Sequence, residues 1–572
     1  MTFSRLLTAA CCAGLTLLPQ GAAAQSAADL LPRGTDLQTD PSREVTPPRE
    51  PSLPESVIPG LTGADGPLVL EGIRLTGAEM LSAEELQPIW AELIGEPVGL
   101  AELEAVAEEI GAAYRAEGYI LSQAVLPAQS VADGIVEIVV VEGFVDRVEI
   151  AAEKPRVQET TDRLFRPVPE DRPLRLETLE RSVLLARDTY GADVETVLEP
   201  SPETFGAADL GVAVTPEPTS WFATVDNRGS RLYGAWTLGG GSRSYDLLGL
   251  SERIDTLVAA APADGSLLFG SATIDIPVPQ LSGTWFDGGR FELAGDISRA
   301  DPDLQESGSP EELSLLQDET EVRASLIVPF IRTRSQNLFG RAGLVWRESE
   351  SLTDFSGDET TSEDRLIIFD ARLTWDLADR YGGVNLVEAN LRKGLDIAGA
   401  SVGAEGPSAG VPDFLLGALT LSRLQRIGQS DWSVYGEVMG QMAADVLPSS
   451  ERFSLGDSTI GRGFAPGNTS GDSGFGARIE VRHSVAPQYL GTAVDRVEIY
   501  GYGDYGRAYD RSADRDGDKG ETLASAGIGA RIDVRPWLTI TPEISQQLEG
   551  IPTDTTDPDH ETRFYIGAVA RF

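Results

Sequence analysis

The sequence predicts two small α+β domains followed by an antiparallel transmembrane β-barrel of about 16 strands. Three observations carry this. Residues 67–216 hold the same order of strand, helix, helix, strand, strand twice. From residue 220 onward helical periodicity gives way to short alternating segments, rich in glycine and separated by acidic loops. Residues 1–24 read as a secretory signal, which puts the rest of the chain outside the cytoplasm.

In that leader Arg5 supplies the positive charge, Leu6 to Leu18 the apolar core, and Ala22-Ala23-Ala24 a cleavage site before Gln25. The apolar run is too short to span a bilayer as a helix. The two cysteines, Cys11 and Cys12, lie inside it, so the mature chain is expected to have neither disulfides nor thiol chemistry. His483 and His560 stand apart without metal-ligand spacing, so no metal site is expected. A mean hydropathy of −0.12, with no run of about 18 apolar residues, leaves strands as the only means of crossing a membrane. The net charge of −44 argues against nucleic acid or an anionic lipid surface as partner. It is assigned to solvated loops and a polar lumen, with adaptation to a salty habitat as the alternative. No G-x-S-x-G, H-E-x-x-H or P-loop is present, so neither a catalytic residue nor a cofactor is assigned.

Residues 25–66 are rich in proline and predict an extended linker, with a short helix over Ser26 to Leu31. In residues 67–143, Leu68 to Leu75 predicts a strand, and Ser82 with Glu85 forms a capping box that opens a helix toward Ile94. Leu103, Val106, Ile110 and Tyr114 recur at helical spacing over Leu100 to Glu117, and Gly118 ends that helix. Strands are expected over Ile120 to Pro127 and Ile135 to Glu142, joined through Ala132-Asp133-Gly134. In residues 144–216 the pattern returns: a strand over Val145 to Ile150, helices over Val157 to Phe165 and Leu174 to Thr189, and strands over Asp193 to Pro200 and Leu210 to Thr215.

Residues 220–572 number 572 − 220 + 1 = 353, which at roughly 22 residues per strand and connection holds about 16 strands. Trp221 to Ser230 fits the first. The last, Phe564 to Phe572, puts Phe564, Ile566, Ala568, Ala570 and Phe572 on one side, as a lipid-facing strand requires.

Near the C-terminus stand Gly461-Arg462-Gly463-Phe464, then Tyr502-Gly503-Asp504-Tyr505-Gly506, and finally Phe572. This set resembles the barrel signature of the Omp85 superfamily. It is most similar to the transporters of two-partner secretion (TpsB), the haemolysin and adhesin secretion/activation proteins. Gly118-Tyr119 and the run Ile135 to Gly143 are likewise similar to the POTRA domains of that subtype. The resemblance implies POTRA 1 over 67–143, POTRA 2 over 144–216 and an outer-membrane barrel over 220–572, with the POTRA units in the periplasm of a Gram-negative bacterium. It implies a plug helix in the linker. A long loop would fold into the lumen with Arg462 at its tip, Gly463 permitting the bend, and Asp504 of the strand motif with Tyr502 and Gly506 as the partner of Arg462. Gly461 stands where many relatives have valine. Phe572 would be the signal read by the barrel-assembly machinery. An extended client would pair with the POTRA edge at Ile120, Ser122, Ala124 and Leu126. The implied partners are a secreted exoprotein (TpsA-like), outer-membrane lipid and periplasmic chaperones. The alternatives are an Omp85-type assembly factor, which typically carries more POTRA units, and a passive porin-like barrel.

Overall fold

The computed structural model describes residues 68–572 except 130, 132, 192, 231–233, 262–265, 279–285, 302–312, 356–357, 404–409, 457, 487, 489–493, 512–519 and 553–559. The leader, the linker, its plug helix and Ala132 lie outside the described residues.

The first domain begins with β1 (Leu68–Val69), β2 (Gly72–Thr76), helix α1 (Ala83–Leu86) and β3 (Pro97–Val98). Helix α2 (Leu100–Ala116), β4 (Gln123–Val125) and β5 (Ile135–Val141) follow. The sheet order is β2-β5-β4, with β2 parallel to β5, and β1 pairs with β3 separately. Helix α2 lays Leu103, Val106, Ile110 and Tyr114 on Val136, Ile138 and Val140 of β5, one face of each element burying the other. Burial pushes the Tyr114 hydroxyl above its ordinary range, and the hydroxyl donates to Glu142 at 2.8 Å.

Two sequence expectations are corrected here. Ser82 and Glu85 do form the capping box, but α1 is only four residues long and continues as two 3₁₀ turns, Gln87–Ile89 and Ala91–Leu93. Pro88 has no N–H to continue an α-helix. The strand expected over Ile120 to Pro127 shrinks to Gln123–Val125, because residues 118–122 are spent in a turn (Ile120 N to Gly118 O, 3.0 Å; Ser122 N to Tyr119 O, 3.1 Å).

The second domain repeats the plan with β6 (Phe144–Ala151), α3 (Pro155–Phe165), α4 (Pro167–Glu170), α5 (Leu176–Tyr190), β7 (Asp193–Pro200) and β8 (Ala207–Thr215). Its order is β6-β8-β7, with β6 parallel to β8. Leu121 of the first domain is built into the second domain's core beside Val145, Leu174 and Leu210, so the two units share apolar packing. Helix α5 also holds the barrel. Arg332 grips Asp188 with two bonds of 2.8 Å, and Arg181 donates to the carbonyls of Asp287 and Pro329 at 2.9 and 2.8 Å.

The barrel strands are β9 (Ser220–Asp226), β10 (Thr237–Tyr245), β11 (Arg253–Ala261), β12 (Ser266–Pro277), β13 (Arg290–Asp301), β14 (Leu313–Arg332), β15 (Gln336–Phe355) and β16 (Asp358–Ala378). Then come β17 (Gly383–Gly394), β18 (Leu415–Arg426) and β19 (Trp432–Ala443). A luminal hairpin of β20 (Phe453–Leu455) and β21 (Thr469–Gly471) intervenes before β22 (Ser473–Ser484), β23 (Arg496–Tyr509), β24 (Gly520–Arg535), β25 (Leu538–Glu549) and β26 (Thr562–Arg571). Leaving out the hairpin, 16 strands close into an antiparallel barrel in which β26 meets β9. Closure leaves no unpaired sheet edge, which a bilayer demands. Outward positions are apolar, as at Phe564 and Ile566 of β26 or Ile479 and Val481 of β22, and inward ones are polar. Trp221, Trp375, Tyr381, Trp432, Trp537 and Phe572 are exposed at the end nearest the small domains, an interfacial aromatic girdle.

Candidate functional site

Residues 444–472 join β19 to β22 from the end opposite the small domains, yet they do not stay outside. They fold back into the lumen and are anchored at their base by Asp472, a buried carboxylate that accepts the Leu447 and Arg511 N–H groups at 2.8 and 2.7 Å. Phe453, Leu455, Ile460 and Phe464 of the loop pack on Ala508 and Leu523 of the wall. The wall makes room with glycine: a Cβ at Gly506 would stand 2.7 Å from Leu455 and 2.8 Å from Ile460.

Gly461 turns the tip. Its φ of +78° is left-handed, a conformation that side chains other than glycine adopt at a cost. This corrects the assignment of the bend to Gly463, which instead supplies closeness: a Cβ there would meet Gln547 at 3.1 Å and Ser525 at 3.2 Å. The Gly463 carbonyl accepts from Gln547 at 2.8 Å and its N–H donates to Ser525 Oγ at 3.2 Å.

The expected Arg462–Asp504 salt bridge is likewise corrected. Asp504, buried on β23, accepts from the main chain of the tip: Gly461 N at 2.8 Å and Arg462 N at 3.4 Å. Its oxygens also accept Ser525 Oγ at 2.8 and 2.9 Å. The Arg462 guanidinium points elsewhere. It pairs with Glu480 of β22, lies 3.4 Å from Glu543 of β25, and stacks 4.3 Å from the Tyr502 ring centre. The physical reason is reach. The tip runs so close to β23 that the short aspartate meets backbone, while the long arginine extends past it to glutamates on neighbouring strands.

Those glutamates have other partners. Glu480 pairs with Arg482 at 2.8 Å and Arg531 at 3.3 Å, and Glu543 with Arg228 at 2.8 Å. Tyr500 and Tyr502 donate to Glu543 at 2.7 and 3.2 Å. The arrangement holds a loop in a polar lumen; among the described residues no cluster of His, Cys, Asp and Glu is set to hold a metal. Sequence reasoning missed Glu480, Glu543, Ser525 and Gln547. Strand parity would have found Glu480, Glu543 and Gln547, which alternate with exposed residues such as Ile479 and Val481, or Ile544 and Leu548, whereas Ser525 stands beside the buried Ala524 at an irregularity of the ladder and carries no such signal.

The remaining candidates are placed as follows. In the first domain β4 is an edge strand of its sheet, but Ile120, Ser122 and Leu126 fall outside it. Ser122 and Leu126 are buried, Ile120 packs on the second domain's core, and Ala124 packs on the first. These four side chains therefore face inward rather than toward a client. Phe572 is exposed, and its main chain closes the barrel seam through two bonds with Trp221, at 2.8 and 3.1 Å.

Residues 68–143 match the POTRA domain, ShlB-type, and residues 318–532 match the haemolysin secretion/activation protein ShlB/FhaC/HecB. These matches support a transporter of the haemolysin secretion/activation type. This family of outer-membrane transporters lies in the Omp85 superfamily. The heme/hemopexin transporter protein HuxB of Haemophilus influenzae (strain 86-028NP) is 24% identical over 509 residues, 86% of this chain and 84% of that one. The outer membrane transporter CdiB of Escherichia coli is 26% identical over 208 residues, 36% of this chain and 35% of that one. The CdiB structure from Escherichia coli shares the fold with a TM-score of 0.68 at 20% identity, covering 90% of this chain and 93% of that one. CdiB from Acinetobacter baumannii follows at 0.61 and 16% identity, with 96% of each chain covered.

Proposed function

We propose that this transporter of two-partner secretion takes an unfolded TpsA-like exoprotein from the periplasm, threads it through the barrel lumen and releases it to fold at the cell surface. In this reading residues 1–24 are the export signal, 25–66 the linker, 67–143 and 144–216 the two POTRA units, and 220–572 the barrel. An extended client adds a strand to the open edge of β4, where the backbone rather than the four inward side chains makes the contact. Periplasmic chaperones keep the client unfolded until then. Phe572 presents the last strand to the barrel-assembly machinery, and the apolar outer face meets outer-membrane lipid. The chain catalyses no covalent reaction. Folding of the client outside supplies the drive.

The observation that carries the proposal is the loop of residues 444–472: a closed barrel holds in its lumen a segment fixed by side-chain and main-chain hydrogen bonds rather than by continuous sheet, and so able to move aside. Secretion of the protein encoded beside this gene tests it, with the intact chain, Arg462→Ala and Asp504→Ala compared at equal outer-membrane levels. Loss of export in both variants, with the barrels assembled, is the expected result. Equal export in the absence of this protein overturns the proposal.

A further inference from the structure

The luminal loop is tied to the wall at a second place. Ser449–Glu451 is a 3₁₀ turn of the same loop, and both Ser450 and Glu451 are buried. One carboxylate oxygen of Glu451 lies 2.7 Å from Arg347 Nη1 of β15, and the other lies 2.8 Å from Arg392 Nη1 of β17. Arg347 Nη1 also donates to the Ser450 carbonyl at 3.2 Å. Arg347 is fully buried, the largest such side chain among the described residues.

In barrel order β17 is three places from β22, the nearest strand that receives Arg462. The loop therefore sends an anion to two cations on one sector of the wall and a cation to two anions on another. We infer that Glu451, held by Arg347 and Arg392, is a buried latch of the luminal loop separate from the tip, so that the closed pore does not depend on Arg462 alone; the loop's other ion pair, Arg452 with Asp510, lies just past the end of β23. This rests on the transporter reading above.

The partners of the wall residues support a releasable contact. Arg347 keeps Glu321 at 2.7 Å, and Arg392 keeps Asp370 at 3.2 Å, when Glu451 is removed. At the tip, Glu480 keeps Arg482 and Arg531, and Glu543 keeps Arg228, when Arg462 leaves. A buried charge left alone is costly, whereas one that keeps a partner is tolerated. On both sectors each wall group keeps an opposite charge. At these two contacts the loop can depart without leaving a wall arginine or glutamate unpaired, and Glu451 and Arg462 can pass to water, whereas Asp504 would keep only the Ser525 hydroxyl.

Ion conductance of the purified full-length protein in planar lipid bilayers tests the latch without any client. Glu451→Gln and Arg392→Gln are compared with the intact protein and with Glu363→Gln, which removes a wall glutamate whose partner is Arg365 rather than the loop. Folding of each barrel is verified by its heat-dependent migration on gels. The expected result is a rise in open probability of roughly tenfold in Glu451→Gln and Arg392→Gln and none in Glu363→Gln. If Glu451→Gln does not fold, Arg392→Gln carries the test. Folded variants with the open probability of the intact protein overturn the latch. That outcome leaves the export reading untouched, since export is judged separately by secretion of the neighbouring protein.

Discussion

Exchanging the charges at the loop tip separates two ways in which Arg462 and Asp504 could act together. If they formed a direct ion pair, Arg462→Asp combined with Asp504→Arg would restore it. The structure predicts no rescue, because Asp504 serves the backbone N–H groups of Gly461 and Arg462, at 2.8 and 3.4 Å, and a guanidinium cannot accept them. The single variants differ in a predictable order. Asp504→Ala strips two buried N–H groups and Ser525 of a charged acceptor, a loss of about 3–5 kcal/mol. Arg462→Ala forfeits the stack on Tyr502 and its share of two glutamates that keep Arg482, Arg531 and Arg228, a loss of about 2 kcal/mol. With about 1.4 kcal/mol per factor of ten, the loop should open roughly tenfold or more further in Asp504→Ala than in Arg462→Ala. Hydrogen exchange at the Gly461 and Gly463 amides in the detergent-solubilised transporter reads this opening directly. Recovery of protection in the charge-exchanged protein, or equal exchange in the two alanine variants, would refute the reasoning.

Three further outcomes follow from local geometry. Gly461→Val forces a β-branched residue to φ near +78° and sets its Cβ 3.1 Å from Gly456 N and Leu523 Cδ1, so the tip should lose roughly 1–3 kcal/mol of docking energy and its amides should exchange faster. Arg332→Ala removes both bonds to Asp188, so exchange in α5 should rise, and a protease should cut residues 216–220 between the second domain and the barrel more readily. Glu85 is held below the ordinary carboxylate range by the Ser82 N–H and hydroxyl. A depressed folded value means that its stabilisation of α1 is complete above the unfolded value of about 4.3 and is lost as pH falls through the folded value. Glu85→Gln should remove that pH dependence from α1 exchange, and an unchanged acid profile would argue against the capping role.

What could be read from the sequence was what depends on local pattern. The 3.6-residue recurrence of Leu103, Val106, Ile110 and Tyr114 gave α2 nearly to the residue. The alternation after residue 220 pointed to the barrel, and the length of that segment set its strand number. Pro88 was in plain view, yet the capping box before it drew the helix on to Ile94. The pairing at the site was beyond local pattern, because the partners of Arg462 lie at positions 480 and 543, on strands fixed by closure of the whole barrel. Asp504, the partner that the family resemblance implied, stands beside the tip, but sequence spacing says nothing about whether a carboxylate meets a guanidinium or the N–H groups beside it.

Closure itself is specified by charge as well as by apolar residues. At inward positions an arginine repeatedly stands opposite a carboxylate of the adjacent strand: Arg243 and Asp255, Arg253 and Asp275, Arg347 and Glu321, Arg392 and Asp370, Arg478 and Glu437, Arg531 and Glu498. Each of these pairs is also in salt-bridge contact. A one-residue slip in a strand would turn its inward set outward. Each misplaced arginine would then cost about 2–4 kcal/mol near the bilayer midplane, in addition to leaving its former partner unpaired in the lumen. The register is thus held from both faces, by lipid outside and by ion pairs inside. Because each pair is neutral, none of the six accounts for the net charge of −44. The same neutrality lets the Glu451 and Arg462 contacts of the loop form and part without disturbing the strands that hold them.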